Sequence, residues 1–205
     1  MSGTALKVAA LLALRGAECA WRPHSANALY SYLAGEWRLD KSFSYVRGGV
    51  SGTFTGTASF NALSCGDNMP RLSYFEEGSA VLMRPGDRPM TLAATRRLLW
   101  EFHSADRVVV SFDEATEPRD PPAILANARF FHTIKLSDAC VPPPFEHPCG
   151  PDVYTGRLSL DASNAFMMRW AVQGPRKSGT QLYRYKRLGT LGDCEGNGEQ
   201  AREAP

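Results

Sequence analysis

From Gly35 onward the chain alternates apolar and polar residues in short runs, broken by Gly, Pro and Asp. In "GEWRLDKSFSY" the residues Trp37, Leu39, Phe43 and Tyr45 share one face, with Lys41 among them. "GTFTGTASF" puts Phe54, Ala58 and Phe60 on one side and Thr53, Thr55, Thr57 and Ser59 on the other. Side chains of a strand point alternately to its two faces, so period two with β-branched residues on the polar side predicts half-buried strands. "RLSYFEEGSAVLM" and "MTLAATRRLLWEF" follow, split by the turn "RPGDRP". "DRVVVSF" is almost wholly apolar and predicts a strand covered on both faces. "ARFFHTIKL" places Phe130, His132 and Ile134 together, and "DVYTGRLSL" and "AFMMRWAV" are joined by the turn "DASN" before the last run, "TQLYRYKRL".

About nine strands at regular spacing, with no strong amphipathic helix between them, predict a barrel or sandwich. A small closed barrel removes the edges that so large a sheet would otherwise have to protect. "EATEPRDPPAILAN" reads as a loop, and "SDACVPPPFEHPCGP" as a second one stiffened by prolines. The predicted organisation is an N-terminal helical or targeting segment over 1–28, a barrel over 29–188 and a disordered tail over 189–205.

Composition changes this picture little: 205 residues, 43% hydrophobic, 21% charged and a formal net charge of +2 describe one ordinary globular domain. No Lys/Arg block runs along the chain, which argues against a nucleic-acid partner. The five cysteines form no CxxC pair and match no strong zinc spacing. They read as free thiols of a reducing compartment, although Cys140 and Cys149 bracket one loop and could pair under oxidation. The apolar run Val8–Leu14 is too short to span a bilayer and is cut off by Arg15. An Ala/Leu/Arg-rich, acid-poor start suits a mitochondrial presequence or a helix packed on the domain, which predicts a cytoplasmic or mitochondrial protein rather than a secreted one.

The order of landmarks carries a resemblance. Gly35-x-Trp37 at the start of the first strand resembles the opening signature of the lipocalin-like (calycin) barrels. The resemblance implies that the Trp closes one barrel end beneath an Arg of the last strand, here Arg184 or Arg187. With "GTFTGTASF", "LSYFEEG", "RRLLWEF", "HPCGPDVY", "WAVQGPRK" and "YRYKR", the chain resembles more closely an uncharacterised family, domain of unknown function number 6314, over residues 29 to 188. That implies an all-β fold, an antiparallel lipocalin-like β-barrel of about 8–10 strands with a short N-terminal helix. It implies no activity.

Candidate chemistry falls in three places. His147, Cys149 and Asp152 lie within one short stretch, but they supply three metal ligands at most where zinc takes four, so no metal site is expected. His147, Asp152 and Tyr154 instead form a candidate acid–base cluster at the barrel mouth. His132, beside Phe130 and Trp170, could ligate haem iron or simply sit in the core. Glu76 with Arg96 or Arg184 would make a polar anchor inside an apolar cavity.

The leading functional expectation is binding of a small, mostly apolar molecule. Trp37, Phe130, His132, Trp170 and Tyr183 would line or close the barrel, and Arg96 and Arg184 would hold a carboxylate. The alternatives are an enzyme using the His147/Asp152/Tyr154 cluster and a non-catalytic structural or assembly subunit whose barrel is solid.

Overall fold

The computed structural model describes residues 25–117, 119–137, 143–161 and 164–189. The expected targeting segment, the expected C-terminal tail and Cys140 lie largely or wholly outside the described residues. One helix, α1 (Ala26–Leu33), precedes a ten-stranded antiparallel sheet. Its strands are β1 (Gly35–Tyr45), β2 (Ser51–Ala62), β3 (Arg71–Met83), β4 (Met90–Ser104) and β5 (Arg107–Asp113), then, after a second helix α2 (Pro121–Ala126), β6 (Ala128–Lys135), β7 (Phe145–Cys149), β8 (Asp152–Asp161), β9 (Ala165–Gln173) and β10 (Ser178–Arg187). The order β6-β5-β4-β3-β2-β1-β10-β9-β8-β7 wraps the sheet into a nearly closed barrel with β6 and β7 at the seam. The lipocalin-like all-β expectation holds.

The barrel closes because small residues let the sheet bend. Gly56 on β2 faces Gly78 on β3. A Cβ on Gly56 would lie 2.0 Å from the Glu77 carbonyl oxygen, and one on Gly78 would lie 2.3 Å from that of Thr55. No larger residue fits either position, and glycine at such sites permits close backbone approach.

α1 caps one end. Ser25 is its N-cap, accepting from the Ala28 N–H at 3.2 Å, and Leu29 and Leu33 are fully buried against the strands. Trp37 lies beneath it and donates Nε1–H to the Leu33 carbonyl at 2.8 Å. Arg187 covers the Trp37 ring at 4.1 Å, donates to the Ala34 carbonyl at 2.8 Å and also donates to the Tyr32 carbonyl. One guanidinium thus stacks on an indole and satisfies carbonyls at a helix C-terminus. Of the two arginines expected there, it is Arg187 that lies over the tryptophan. Gly35 has φ +116°, and a Cβ there would stand 3.1 Å from Arg187, which explains the glycine of the Gly-x-Trp pair.

Two elements depart from the sequence reading. The "DPPAILA" segment is helical: Asp120 is an N-cap accepting from Ala123 N–H at 2.8 Å, proline follows in the first turn, and Ile124 covers Leu99 on the outer face of β4. "FEHPC" is strand β7 rather than loop. An edge strand tolerates Pro148 because it needs no N–H there.

Candidate functional site

Alternation carries Lys41 inward from β1 together with Trp37 and Leu39, as the pattern of that strand requires. Inside, Lys41 Nζ forms an ion pair with Glu76 Oε1 from β3. Its ammonium lies 4.8 Å from the Phe54 ring centre and 4.6 Å from that of Tyr183. Arg96 from β4 stands with Nε 4.0 Å from the same Glu76 oxygen. Tyr74 donates its hydroxyl proton to the other carboxylate oxygen, Oε2. The Tyr185 hydroxyl lies 3.1 Å from that of Tyr74. Tyr74 spends its single proton on Glu76, so Tyr185 is the donor in that pair.

The result is a polar layer in an aromatic barrel: two cations, one carboxylate and a ring of phenols. Lys41 and Glu76 are almost wholly enclosed, with side chains 10% and 6% exposed, whereas Arg96 keeps 35% exposure toward the mouth. Burial lowers the Lys41 ammonium to about 8, with Glu76 pulling the other way. Burial raises the phenols of Tyr74, Tyr183 and Tyr185, so all three stay protonated and serve as donors. Tyr183 donates to Gln181 Oε1, and Gln181 Nε2 donates to Tyr45 at 2.7 Å, extending the network to the rim. Above the layer, Ala80 and Ala94 are small and half-buried, and Leu92 and Met90 on the overhanging β3–β4 hairpin are exposed. These four inward positions make an apolar lip.

A second interior cluster is almost purely aromatic. His132 stacks on Phe145 with ring centres 4.6 Å apart, and meets Phe131 at 4.4 Å and Trp170 at 5.2 Å edge-on. Neither His132 nitrogen has a hydrogen-bond partner among the described residues. Burial depresses its pKa to about 3, so the ring is neutral. With three rings packed this close to the imidazole, these residues as arranged do not fit a haem.

Two expected lining residues are misplaced in the sequence reading. Phe130 is 57% exposed on the outer face. Val110 pairs with His132 and Ser111 with Phe130, which leaves Phe131 as the extra residue of a β-bulge. The bulge resets the alternation, so Phe131 and His132 both turn inward and Phe130 turns out. Arg184 is exposed as well, because its neighbours Tyr183 and Tyr185 take the inward phase. It lines an outer groove of about 410 Å³ with Asp40, Met167 and Lys186. Trp37, Arg96, His132, Trp170 and Tyr183 do face the interior, but only Arg96 and Tyr183 belong to the polar layer. Lys41 was visible in the sequence on the apolar face of β1, yet its partner was not, because Glu76 comes from a strand two positions away.

The stretch with His147, Asp152 and Tyr154 is braced. His147 Nδ1 lies 2.8 Å from the Phe131 carbonyl oxygen, across the seam. Asp152, buried, accepts from the backbone N–H groups of Arg176 at 3.0 Å and Lys177 at 3.3 Å. Tyr154 OH accepts from Lys177 Nζ at 3.1 Å. Each of the three side chains thus bonds to a different group, and the His147 and Tyr154 ring centres are 6.2 Å apart. Their polar atoms hold a seam and a turn, and the arrangement gives an acid–base cluster no common focus.

The comparisons with known proteins agree with this architecture. The family model described as "Family of unknown function (DUF6314)" matches residues 33–187. The chain belongs to this family. No curated protein matches it. Among solved structures, the S-type phycobiliprotein lyase CPES from Guillardia theta is similar, with a TM-score of 0.54 and 8% identity over 81% of this chain and 94% of that one. A redesigned β barrel, mFAP1, bound to DFHBI, aligns with a TM-score of 0.32 and 12% identity over 77% of this chain and 97% of that one. At such identity the lyase likeness bears on the fold alone. Among the described residues no helix is long and apolar enough to cross a membrane.

Proposed function

We propose that this member of the family binds a small, mostly apolar molecule carrying one carboxylate, at the polar layer beneath the apolar lip. The observation that carries the reading is a charge imbalance. Lys41 and Arg96 both converge on Glu76 Oε1, two cations on one anion. Charges held out of water are compensated, and an unbalanced cation inside an aromatic barrel favours an anionic guest. Arg96 is the better contact, since its fork suits a carboxylate and it alone of the trio reaches toward the mouth. The tail of the guest would rest on Ala80, Leu92 and Ala94, an apolar wall around a few fixed polar groups.

Titration of tryptophan fluorescence, with native mass spectrometry of the same samples, tests this. Phenylpropionate and decanoate are compared with the matching alcohols. The acids are expected to bind roughly tenfold or more tightly than the alcohols, the worth of one charge-assisted contact. Arg96→Met removes the difference. Equal affinity for acid and alcohol, or no binding of either, would overturn the proposal.

A further inference from the structure

Resting on that reading, we propose that the guest is an apolar 2-oxo acid and that Lys41 holds its carbonyl carbon as a protonated imine while Arg96 holds its carboxylate. Lys41 is more than a spare counter-charge. Its amine is enclosed between the Phe54 and Tyr183 rings beside the Glu76 carboxylate: loss of water disfavours the ammonium while the carboxylate favours it, and Glu76 stands where it can take the proton that frees a nucleophilic nitrogen. The lowered basicity of this amine is consistent with that role. Arg96 contacts the same Glu76 oxygen that Lys41 does. An amine and a guanidinium brought to one atom lie close enough to read two adjacent carbons of one small molecule. A 2-oxo acid presents its electrophilic carbonyl directly beside its carboxylate.

The chemistry balances with groups already present. The Lys41 ammonium gives one proton to Glu76, and the freed lone pair attacks the carbonyl carbon. A C–N bond forms, and the carbonyl oxygen takes the second amine proton to become the hydroxyl of a carbinolamine. Glu76 then returns its proton to that hydroxyl, the C–O bond breaks, and water leaves. The product is an iminium that keeps one N–H and one positive charge. Glu76 ends as the carboxylate it began as, and no oxidant or reductant is consumed. Tyr74, bonded to Glu76 Oε2, is a positioning residue that keeps Oε1 turned toward the amine. Charge now closes: the iminium and Arg96 face Glu76 and the carboxylate of the guest, two cations and two anions.

The test incubates the full-length protein with phenylpyruvate and sodium cyanoborohydride, followed by intact mass measurement and peptide mapping. The expected result is one adduct with the mass of phenylpyruvate less one oxygen atom, mapped to Lys41 and suppressed by excess phenylpropionate. Lys41→Arg should abolish the adduct, since a guanidinium forms no imine under these conditions. Mapping on the unaltered chain stands even if that variant folds poorly. Adducts spread over Lys135, Lys177 and Lys186 without preference for Lys41, or no adduct while phenylpropionate binds, would overturn the imine alone. Failure of phenylpropionate to bind at all would take the carboxylate-binding reading down with it.

Discussion

His147 Nδ1 sits 2.8 Å from the carbonyl oxygen of Phe131, and that contact joins the two edge strands of the barrel. A carbonyl only accepts, so Nδ1 carries the proton and the imidazole is the donor. The two rings also meet edge-on at 4.6 Å, and the neighbouring pair His132–Phe145 stacks at 4.6 Å. Side chains thus close a seam that β6 and β7 leave outside the backbone ladder.

His147→Phe keeps a ring but loses the donor, so it is expected to cost about 1 kcal/mol of stability. His147→Ala loses both and should cost about 2–3 kcal/mol. Chemical denaturation gives the totals. Hydrogen exchange locates them: protection should fall in β6 and β7 and hold in β2 and β3. Uniform loss of protection would refute a local seam.

The three interior charges are not equivalent. Glu76 is the one anion shared by Lys41 and Arg96, so Glu76→Gln leaves the enclosed Lys41 and the partly exposed Arg96 without a carboxylate. Breaking a buried pair in that way costs about 3–5 kcal/mol. Lys41→Met leaves Glu76 still facing Arg96 and removes a cation whose burial was itself unfavourable. It should cost clearly less than the glutamine variant. Denaturation midpoints of the two variants settle the order, and equal losses would mean that Arg96 does not compensate Glu76.

The barrel was readable because period-two alternation survives in most strands: Trp37, Leu39, Phe54, Ala58 and Phe60 all point inward as their spacing demands. Reading failed where geometry breaks that period. The bulge at Phe131 leaves no mark in "ARFFHT", so Phe130 was placed one residue out of phase. β7 was hidden by its proline, which argues against a strand except at an edge. α2 did carry a signal, Asp120 followed by proline, but it is shorter than the window over which helical periodicity shows. The polar layer was half visible. Glu76 and Arg96 face each other directly across β3 and β4, whereas Lys41 reaches Glu76 diagonally, a pairing set by barrel stagger rather than by any local pattern.

Asp152 tests whether the conspicuous "HPCGPDVY" stretch is a brace. Its carboxylate oxygen holds two backbone N–H groups of the β9–β10 turn, and a Cβ on Gly174 would lie 2.1 Å from that same oxygen. Asp152→Ala should therefore cost about 1–3 kcal/mol by orphaning those donors. Gly174→Ala should cost at least as much, because its Cβ would meet the carboxylate and, at 2.6 Å, the Asp152 Cα. The two share the carboxylate contact, so the double variant should lose less than the sum. Full additivity, measured by a double-mutant cycle, would mean that the glycine makes room for the Asp152 backbone rather than for its carboxylate.

His132 sets an acid limit on the fold. Its pKa is about 3 in the barrel against an ordinary value of 6.5, because burial penalises the imidazolium and electrostatic repulsion from His147 and Arg96 adds to that penalty. The folded state therefore binds fewer protons than the unfolded chain below pH 6.5. Stability from this group is complete above that pH and is lost progressively as pH falls toward 3, by roughly 4–5 kcal/mol in all. His132→Phe keeps an aromatic ring against Phe145 and removes two nitrogens that have no partner among the described residues. Near pH 7 it should gain about 1–3 kcal/mol, the cost of a buried unsatisfied polar group. The gain should widen as the solution is acidified, since the variant has no imidazole to charge. Denaturation curves for both proteins from about pH 7 to about pH 4 would show it as diverging midpoints. Parallel curves would mean that His132 is not the group whose protonation opposes this barrel in acid.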